Sequence, residues 1–213
     1  MTQVFDYLKT MENKIHYYTN NENLASNPEQ YTTKILNQEF TFKTDIGVFC
    51  KSYLDFGSNL LIEEFICPNV EGKYLDVGCG YGPIGISLSK VYNKEFLMLD
   101  INKRAVSLTK ENIILNNALA QALESNVLDA VGDEHFACII SNPPIRAGKK
   151  VVYAIYEEAF NHLKENGELW IVIQKKQGAP STMEKLESIF GNVSVIAKKK
   201  GYYIIKSVKK NLD

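Results

Sequence analysis

Three short segments carry groups suited to holding a ligand and orienting a reactive atom. The first is Asp76-Val-Gly78-Cys79-Gly80-Tyr-Gly82-Pro-Ile-Gly85. Closely spaced glycines after a strand let the backbone turn tightly and approach a ligand with no Cβ in the way. A helix that follows offers free N–H groups to polar or anionic atoms. The run contains Gly80-x-Gly82-x-x-Gly85, a dinucleotide-binding spacing that is weak evidence alone. A plain strand-to-helix turn is the poorer reading, because glycines at single-residue spacing follow an aspartate. The second segment is Met98-Leu-Asp100-Ile101-Asn. A carboxylate at a strand end accepts two hydrogen bonds from ribose hydroxyls, and its competing role is a helix N-cap. The third is Ser141-Asn142-Pro143-Pro144-Ile145. Two prolines remove backbone donors and stiffen the chain. They leave the Asn142 side-chain oxygen and the Pro143 carbonyl as aimed acceptors, a pair suited to a substrate –NH2 group. In isolation Asn-Pro-Pro reads as a loop stop. At an edge that also carries a glycine loop and an aspartate, it does not.

These segments act together only if strands deliver them to one edge. From Gly72 the apolar pattern alternates between strands and helices. Strands are predicted at 73–77, 95–100, 120–124, 136–141 and 168–173, with β-rich runs at 193–197 and 202–208. Helices are predicted at 83–91, 103–115, 149–164 and 181–190. Repeated βα units with near-continuous apolar strands predict a doubly wound, mostly parallel α/β sheet, buried on both faces. Ligands bind such sheets outside the carboxyl ends of the strands, where all three segments fall. Upstream, residues 31–44 alternate as a hairpin with a break at Asn37-Gln38. Residues 55–66 read as an amphipathic helix with Leu60, Leu61, Phe65 and Ile66 on one side, stopped before Pro68. The expected division is an N-terminal extension with a hairpin, 1–45, and a ligand-binding domain, 46–213.

Composition narrows the class. Of 213 residues, 45% are hydrophobic and 11% aromatic, which excludes extensive disorder. No apolar run approaches the ~18 residues of a membrane span, and the first residues carry no signal pattern, so a cytoplasmic protein is expected. Cys50, Cys67, Cys79 and Cys138 form no Cys-x-x-Cys pair, and of His16, His135 and His162 only His135, three residues before Cys138, lies near one of them in sequence. No metal site is expected, and the thiols should be reduced. The net charge of -1 is unevenly spread: residues 140–213 hold 13 Lys+Arg against 7 Asp+Glu, and residues 1–139 hold 11 against 18. A basic C-terminal third suits a polyanionic partner. Arg146, Lys149 and Lys150 lie in or just after the Asn-Pro-Pro loop, and Lys175 and Lys176 end the neighbouring strand. All five are expected around one pocket mouth as substrate-binding cations.

The segments together resemble class I S-adenosylmethionine-dependent methyltransferases. More narrowly, the chain resembles the short, single-domain form of the small-subunit ribosomal RNA guanine-N2 methyltransferase (RsmC-like) family. The resemblance covers about residues 16–210. Its landmarks are Thr44-Asp-Ile-Gly-Val-Phe49, Asp55-Phe-Gly-Ser58, the run 75–85, Ser141-Asn-Pro-Pro-Ile-Arg-Ala-Gly148 and Lys175-Lys-Gln-Gly-Ala-Pro180. It implies a seven-stranded sheet with the last strand antiparallel, and S-adenosylmethionine as cofactor. It places Asp76, Gly78 and Gly80 at the methionine end, Asp100 at the ribose and Asn126 near the adenine amino group. Val48 and Phe49 would close over the cofactor, and Cys79, Gly82, Ile101, Val127 and Asn142 complete that set. Asn142, Pro143, Pro144 and Ile145 form the implied catalytic set.

The chain departs from the long forms twice. It has only about 45 residues where they carry a second, degenerate domain, and Ile145-Arg146 where they have Phe-His. Losing the aromatic removes face stacking on a flipped base, although the short forms share Ile-Arg. The implied reaction is methyl transfer to the exocyclic amine of a guanine in 16S ribosomal RNA. The implied partner is that RNA or the small ribosomal subunit, with no membrane and a monomeric enzyme. Asn-Pro-Pro serves adenine-N6 and protein-glutamine methylation equally well, and the basic C-terminal third favours RNA. An NAD-dependent oxidoreductase leaves Asn-Pro-Pro unexplained. A non-catalytic RNA-binding domain leaves the filled cofactor positions unexplained.

Overall fold

The computed structural model describes residues 26–45, 48 and 53–210. The first 25 residues of the expected extension, and Phe49, lie outside the described residues. A hairpin, β1 (Glu29–Ile35) and β2 (Gln38–Thr44), forms its own two-stranded sheet. Helix α1 (Phe56–Glu64) follows, and then the main sheet begins. Its strands are β3 (Tyr74–Val77), β4 (Phe96–Asp100), β5 (Ala120–Glu124), β6 (Phe136–Ser141), β7 (Leu163–Gln174), β8 (Ser194–Lys199) and β9 (Tyr202–Val208). The remaining helices are α2 (Pro83–Tyr92), α3 (Lys103–Asn116), α4 (Lys149–His162) and α5 (Ala179–Phe190). The seven strands lie in the order β5-β4-β3-β6-β7-β9-β8. The first five in that order are parallel, and β9 runs antiparallel to both neighbours.

Side chains alternate between two cores. Tyr74, Met98, Cys138, Ile140, Trp170 and Ile204 face one side, under α1, α2, α3 and the hairpin. Leu75, Val77, Leu99, Ile139, Leu169 and Ile205 face the other, under α4 and α5. Burial on both faces explains the near-continuous apolar runs. The winding reverses between β3 and β6, which opens a crevice at their carboxyl ends.

The hairpin is attached through polar side chains. Asn112 of α3 accepts from the Lys43 N–H at 2.7 Å and donates to the Lys43 carbonyl at 2.8 Å. One turn later, Asn116 does the same for Thr41, at 3.0 and 2.8 Å. Two amides at i, i+4 thus stand in for a neighbouring strand, satisfying β2 backbone groups that would otherwise be buried unpaired.

Three local readings shift. The hairpin turns at Leu36-Asn37, both at positive φ, one residue earlier than the expected break. Those dihedrals suit a two-residue turn matched to strand twist. Ile66 is 69% exposed, because α1 ends at Glu64 and the chain is extended at Phe65, whose ring turns into the core. Helix α4 stops at His162, because Leu163 is fully buried as a strand residue opposite Phe136.

Candidate active site

A cavity of about 770 Å³ opens at the carboxyl edge of the sheet, within the usual size of small-molecule sites. One wall is the glycine loop between β3 and α2. The Gly78 and Cys79 N–H groups donate to the Leu99 carbonyl at 2.8 and 2.9 Å, pinning the loop to β4. From behind, the Thr109 hydroxyl donates to the Gly80 carbonyl at 2.8 Å and Asn112 Nδ2 to the Tyr81 carbonyl at 2.8 Å. Tyr81 also shares a 2.7 Å hydrogen bond with Tyr31 of the hairpin. Gly78 and Gly80 lie at φ +74° and +60°, and a Cβ on Gly80 would meet no atom within 4 Å. Gly85 is needed for close approach: its N–H reaches Asp76 Oδ2 at 3.0 Å, and a Cβ there would lie 2.7 Å from Met98 Cε.

Two carboxylates flank the loop. Asp100 ends β4 in the cavity wall, accepting from Gly80 N–H and Asn102 N–H, each at 2.9 Å. Burial pushes its carboxyl up to about 6, while those N–H groups pull it down. The helix N-cap role falls to Asn102, not Asp100. Asp76 lies behind the wall, 1% exposed, and its Oδ1 has no hydrogen-bond partner. Burial pushes Asp76 up to about 7, eased by the Gly85 N–H and reinforced by the charge of Asp100.

The end of β5 supplies the next wall. The Ser125 N–H donates to the Asp100 carbonyl at 3.0 Å, bringing Asn126 and Val127 to the cavity beside that carboxylate. The Asn126 amide is tied to Asp129 at 3.1 Å. Val127 sits at φ +51°, a left-handed conformation that is rare and strained for a β-branched residue.

A further wall is built on β6. The Ser141 hydroxyl donates to the Val77 carbonyl at 2.7 Å, locking β6 to β3. Asn142 Nδ2 donates to Ser58 Oγ in the first turn of α1 at 3.1 Å, which leaves Oδ1 as the open end of the amide. The Pro143 carbonyl accepts from Ile145 N–H at 2.8 Å across Pro144 (φ -74°, ψ 78°), an inverse γ-turn that occupies one lone pair and fixes the carbonyl.

Val48, Gly78, Cys79, Gly80, Asp100, Ile101, Asn126, Val127, Asn142, Pro143, Pro144, Ile145 and Arg146 all line the cavity. Gly82 does not: a Cβ there would run into Ile86, Thr109 and Met98, so it packs behind the loop with Asp76. Lys149, Lys150, Lys175 and Lys176 are exposed and lie outside the lining. Asp55, Ser58, Gln174 and Tyr202 are among the lining residues that were not anticipated as site residues. Tyr202 leans over α1 because residue 57 is glycine; a Cβ there would sit 2.8 Å from the tyrosine ring. The Lys175 N–H donates to the Gly201 carbonyl at 2.8 Å, so the β8–β9 turn with Lys198, Lys199 and Lys200 lies beside Lys175 and Lys176. Among the described residues none of these five lysines has an ion pair, whereas Lys43, Lys73, Lys185 and Lys206 do.

The model of the methyltransferase small domain family matches residues 39–206. The chain belongs to that family. The chain is similar to relatives at two distances. The uncharacterized protein YbxB of Bacillus subtilis (strain 168) is 54% identical over 200 residues, covering 91% of this chain and 98% of that protein. The T. Thermophilus 16S rRNA N2 G1207 methyltransferase (RsmC), solved with AdoMet and guanosine, matches with a TM-score of 0.79 at 27% identity. That match covers 88% of this chain and 52% of that one, so the chain spans about half the length of the Thermus enzyme. The ribosomal protein L11 methylase of Lactobacillus delbrueckii subsp. bulgaricus shares the fold, with a TM-score of 0.60 at 21% identity over 73% of this chain and 77% of that one.

As a class I methyltransferase, the chain uses S-adenosylmethionine, and its residues fit that cofactor. Gly80 lines the cavity with open space where a Cβ would stand, and Asp76 keeps a buried oxygen without a partner. Among the described residues, no helix is long and apolar enough to cross a membrane.

Proposed function

We propose that this methyltransferase modifies the exocyclic N2 of a guanine in 16S ribosomal RNA, acting in the cytoplasm on the small subunit or its RNA. The observation that carries the reading is Asn142, whose amide is turned by Ser58 so that its oxygen is the open end. The likeness to the Thermus N2 methyltransferase supports guanine as the acceptor.

When bound, S-adenosylmethionine supplies a methyl group on a cationic sulfur, already activated for transfer. Gly78 and Gly80 would hold its methionine end, with Asp76 behind them, and Asp100 its ribose. Asn142 Oδ1 and the Pro143 carbonyl accept the two amine hydrogens of the base. Held by both, the nitrogen lone pair turns out of conjugation and points into the cavity. Neither acceptor is basic, so the contribution of these residues is alignment. One of the held hydrogens is shed once the nitrogen has gained its fourth substituent. A paired base cannot enter so enclosed a site, so the target must be unpaired or flipped. Ile145 offers apolar packing to one face of it.

The test is mass spectrometry of ribosomal RNA nucleosides from cells with and without the gene, with the modified position mapped by primer extension. Loss of a single N2-methylguanosine from 16S RNA is the expected result. Unchanged RNA alongside a lost methyl-glutamine in a ribosomal protein would overturn the reading.

A further inference from the structure

We propose that Asp55 reads the base: its open carboxylate oxygen accepts the ring N1–H of guanine while Asn142 and Pro143 hold the amino group. This rests on the reading that the acceptor is a guanine amine, and it adds the residue that makes guanine the choice.

Asp55 is the N-cap of α1 and lines the cavity, with 8% of its surface exposed. Its Oδ1 accepts from the Ser58 N–H at 3.1 Å. Among the described residues Oδ2 takes no hydrogen bond, and no cation pairs with the carboxylate. A carboxylate half-used in a cavity wall carries a desolvation cost that a donor on a ligand relieves. Ser58 connects this group to the amine-binding residue, because its N–H caps onto Asp55 while its hydroxyl accepts from Asn142 Nδ2 at 3.1 Å. One serine therefore spaces the Asp55 carboxylate from the Asn142 amide. The cavity wall thus holds three acceptors: Asp55 Oδ2, Asn142 Oδ1 and the Pro143 carbonyl.

The complement of those three acceptors is a set of three donor hydrogens on one edge of a ligand. Guanine has them, with N1–H beside the 2-amino group. Adenine places an acceptor, N1, next to its amine, cytosine places N3 there, and a glutamine side chain places its carbonyl. Each would set a lone pair against the carboxylate, and an unpaired buried charge rejects a ligand more strongly than a lost contact does.

The test is Asp55→Asn. Asparagine caps helices as well as aspartate does, so Ser58 keeps its acceptor and α1 its start. The atom facing the ligand becomes an –NH2 donor, which opposes guanine N1–H but pairs with the bare N1 of 2-aminopurine. Small ribosomal subunits, and ribosomal RNA extracted from them, are prepared from cells lacking the gene and methylated by the wild-type enzyme or the variant, with guanosine and 2-aminopurine riboside as competitors. Wild type should form N2-methylguanosine and be inhibited by guanosine at least ~30-fold better than by 2-aminopurine riboside. The variant should be at least ~30-fold slower with the competitor order reversed, while Tm and cofactor affinity stay at wild-type values. A purely structural cap would weaken both competitors alike. A variant with wild-type rate, or one with the order unchanged, overturns the role of Asp55 and leaves the guanine reading standing. If the variant folds poorly, the wild-type competitor order decides, and equal inhibition overturns the proposal. If wild type places no methyl on guanine, the guanine reading itself fails, and this inference fails with it.

Discussion

Cofactor binding should release protons, and the two buried carboxylates set the scale. Asp100 sits at about 6 and Asp76 at about 7, both raised by burial. If ribose hydroxyls donate to Asp100 and the cofactor ammonium lies near Asp76, each contact favours the charged form, and both values should fall on binding. Apparent affinity then drops by the factor 1 + 10^(pKa − pH) for each group. Between pH 7 and pH 5 that is about tenfold for Asp100 alone and about fiftyfold for Asp76 alone. Their mutual repulsion keeps the combined loss within a few hundredfold, as an order of magnitude. Calorimetry at pH 6.5, in buffers of different ionisation enthalpy, counts the protons released. Asp100→Asn should remove the tenfold part of the pH dependence while lowering affinity throughout. Stability of the free protein should run the opposite way. Both folded-state values lie above the ordinary 3.8, so the folded chain holds more protons than the unfolded one between about pH 4 and pH 7. These two groups therefore make the fold more stable as pH falls through 7 toward 4, and less stable as it rises. Cofactor affinity that is flat from pH 5 to pH 8 would refute the assignment of both carboxylates to the cofactor.

Asn142→Ala should lower turnover by at least ~100-fold, the scale for losing one aimed polar group; single-turnover methylation and cofactor calorimetry should show affinity unchanged. If Lys175 and Lys176 track a phosphate backbone, RNA binding should weaken with salt at a log–log slope of about -0.7 per single-strand phosphate neutralised. Changing both to Ala should make that slope shallower, and adding Lys198→Ala, Lys199→Ala and Lys200→Ala should flatten it further, as fluorescence anisotropy at several salt concentrations would record. Asn112→Ala strips the Lys43 and Tyr81 backbones of a buried partner and should cost about 2–4 kcal/mol in denaturant unfolding.

Much of the fold was readable because each central strand is buried on both faces. The run Phe136–Ser141 has no polar interruption before Ser141, and the structure starts and stops it where the apolar run does. Elements that depend on polar packing were not readable in this way. Asn112 and Asn116 look like exposed positions of a helix, yet both are buried, because their amides bond a strand that lies some seventy residues earlier. Ile66 looks like the last apolar position of a helix face, but periodicity carries no sign of where the hydrogen bonds stop, and α1 ends two residues before it.

The site divides along the same line. That the glycine loop, Asp100 and Asn126 meet in one cavity was legible, since each stands at the end of a parallel strand, and a doubly wound sheet sends every such residue to one edge. The wall around Asn142 was less so, since its remaining pieces come from elements of a different kind. Asp55 and Ser58 begin a helix that precedes the sheet in sequence, and only the Asn142–Ser58 contact reveals that this helix starts at the crevice. Tyr202 reaches it because β9 enters antiparallel, so the first residue of β9, not its last, pairs with Gln174 at the carboxyl edge. The same reversal puts the turn after β8 there, and Lys198, Lys199 and Lys200 join Lys175 and Lys176. A strand inserted in reverse thus sets a second group of lysines beside the first at this edge of the sheet.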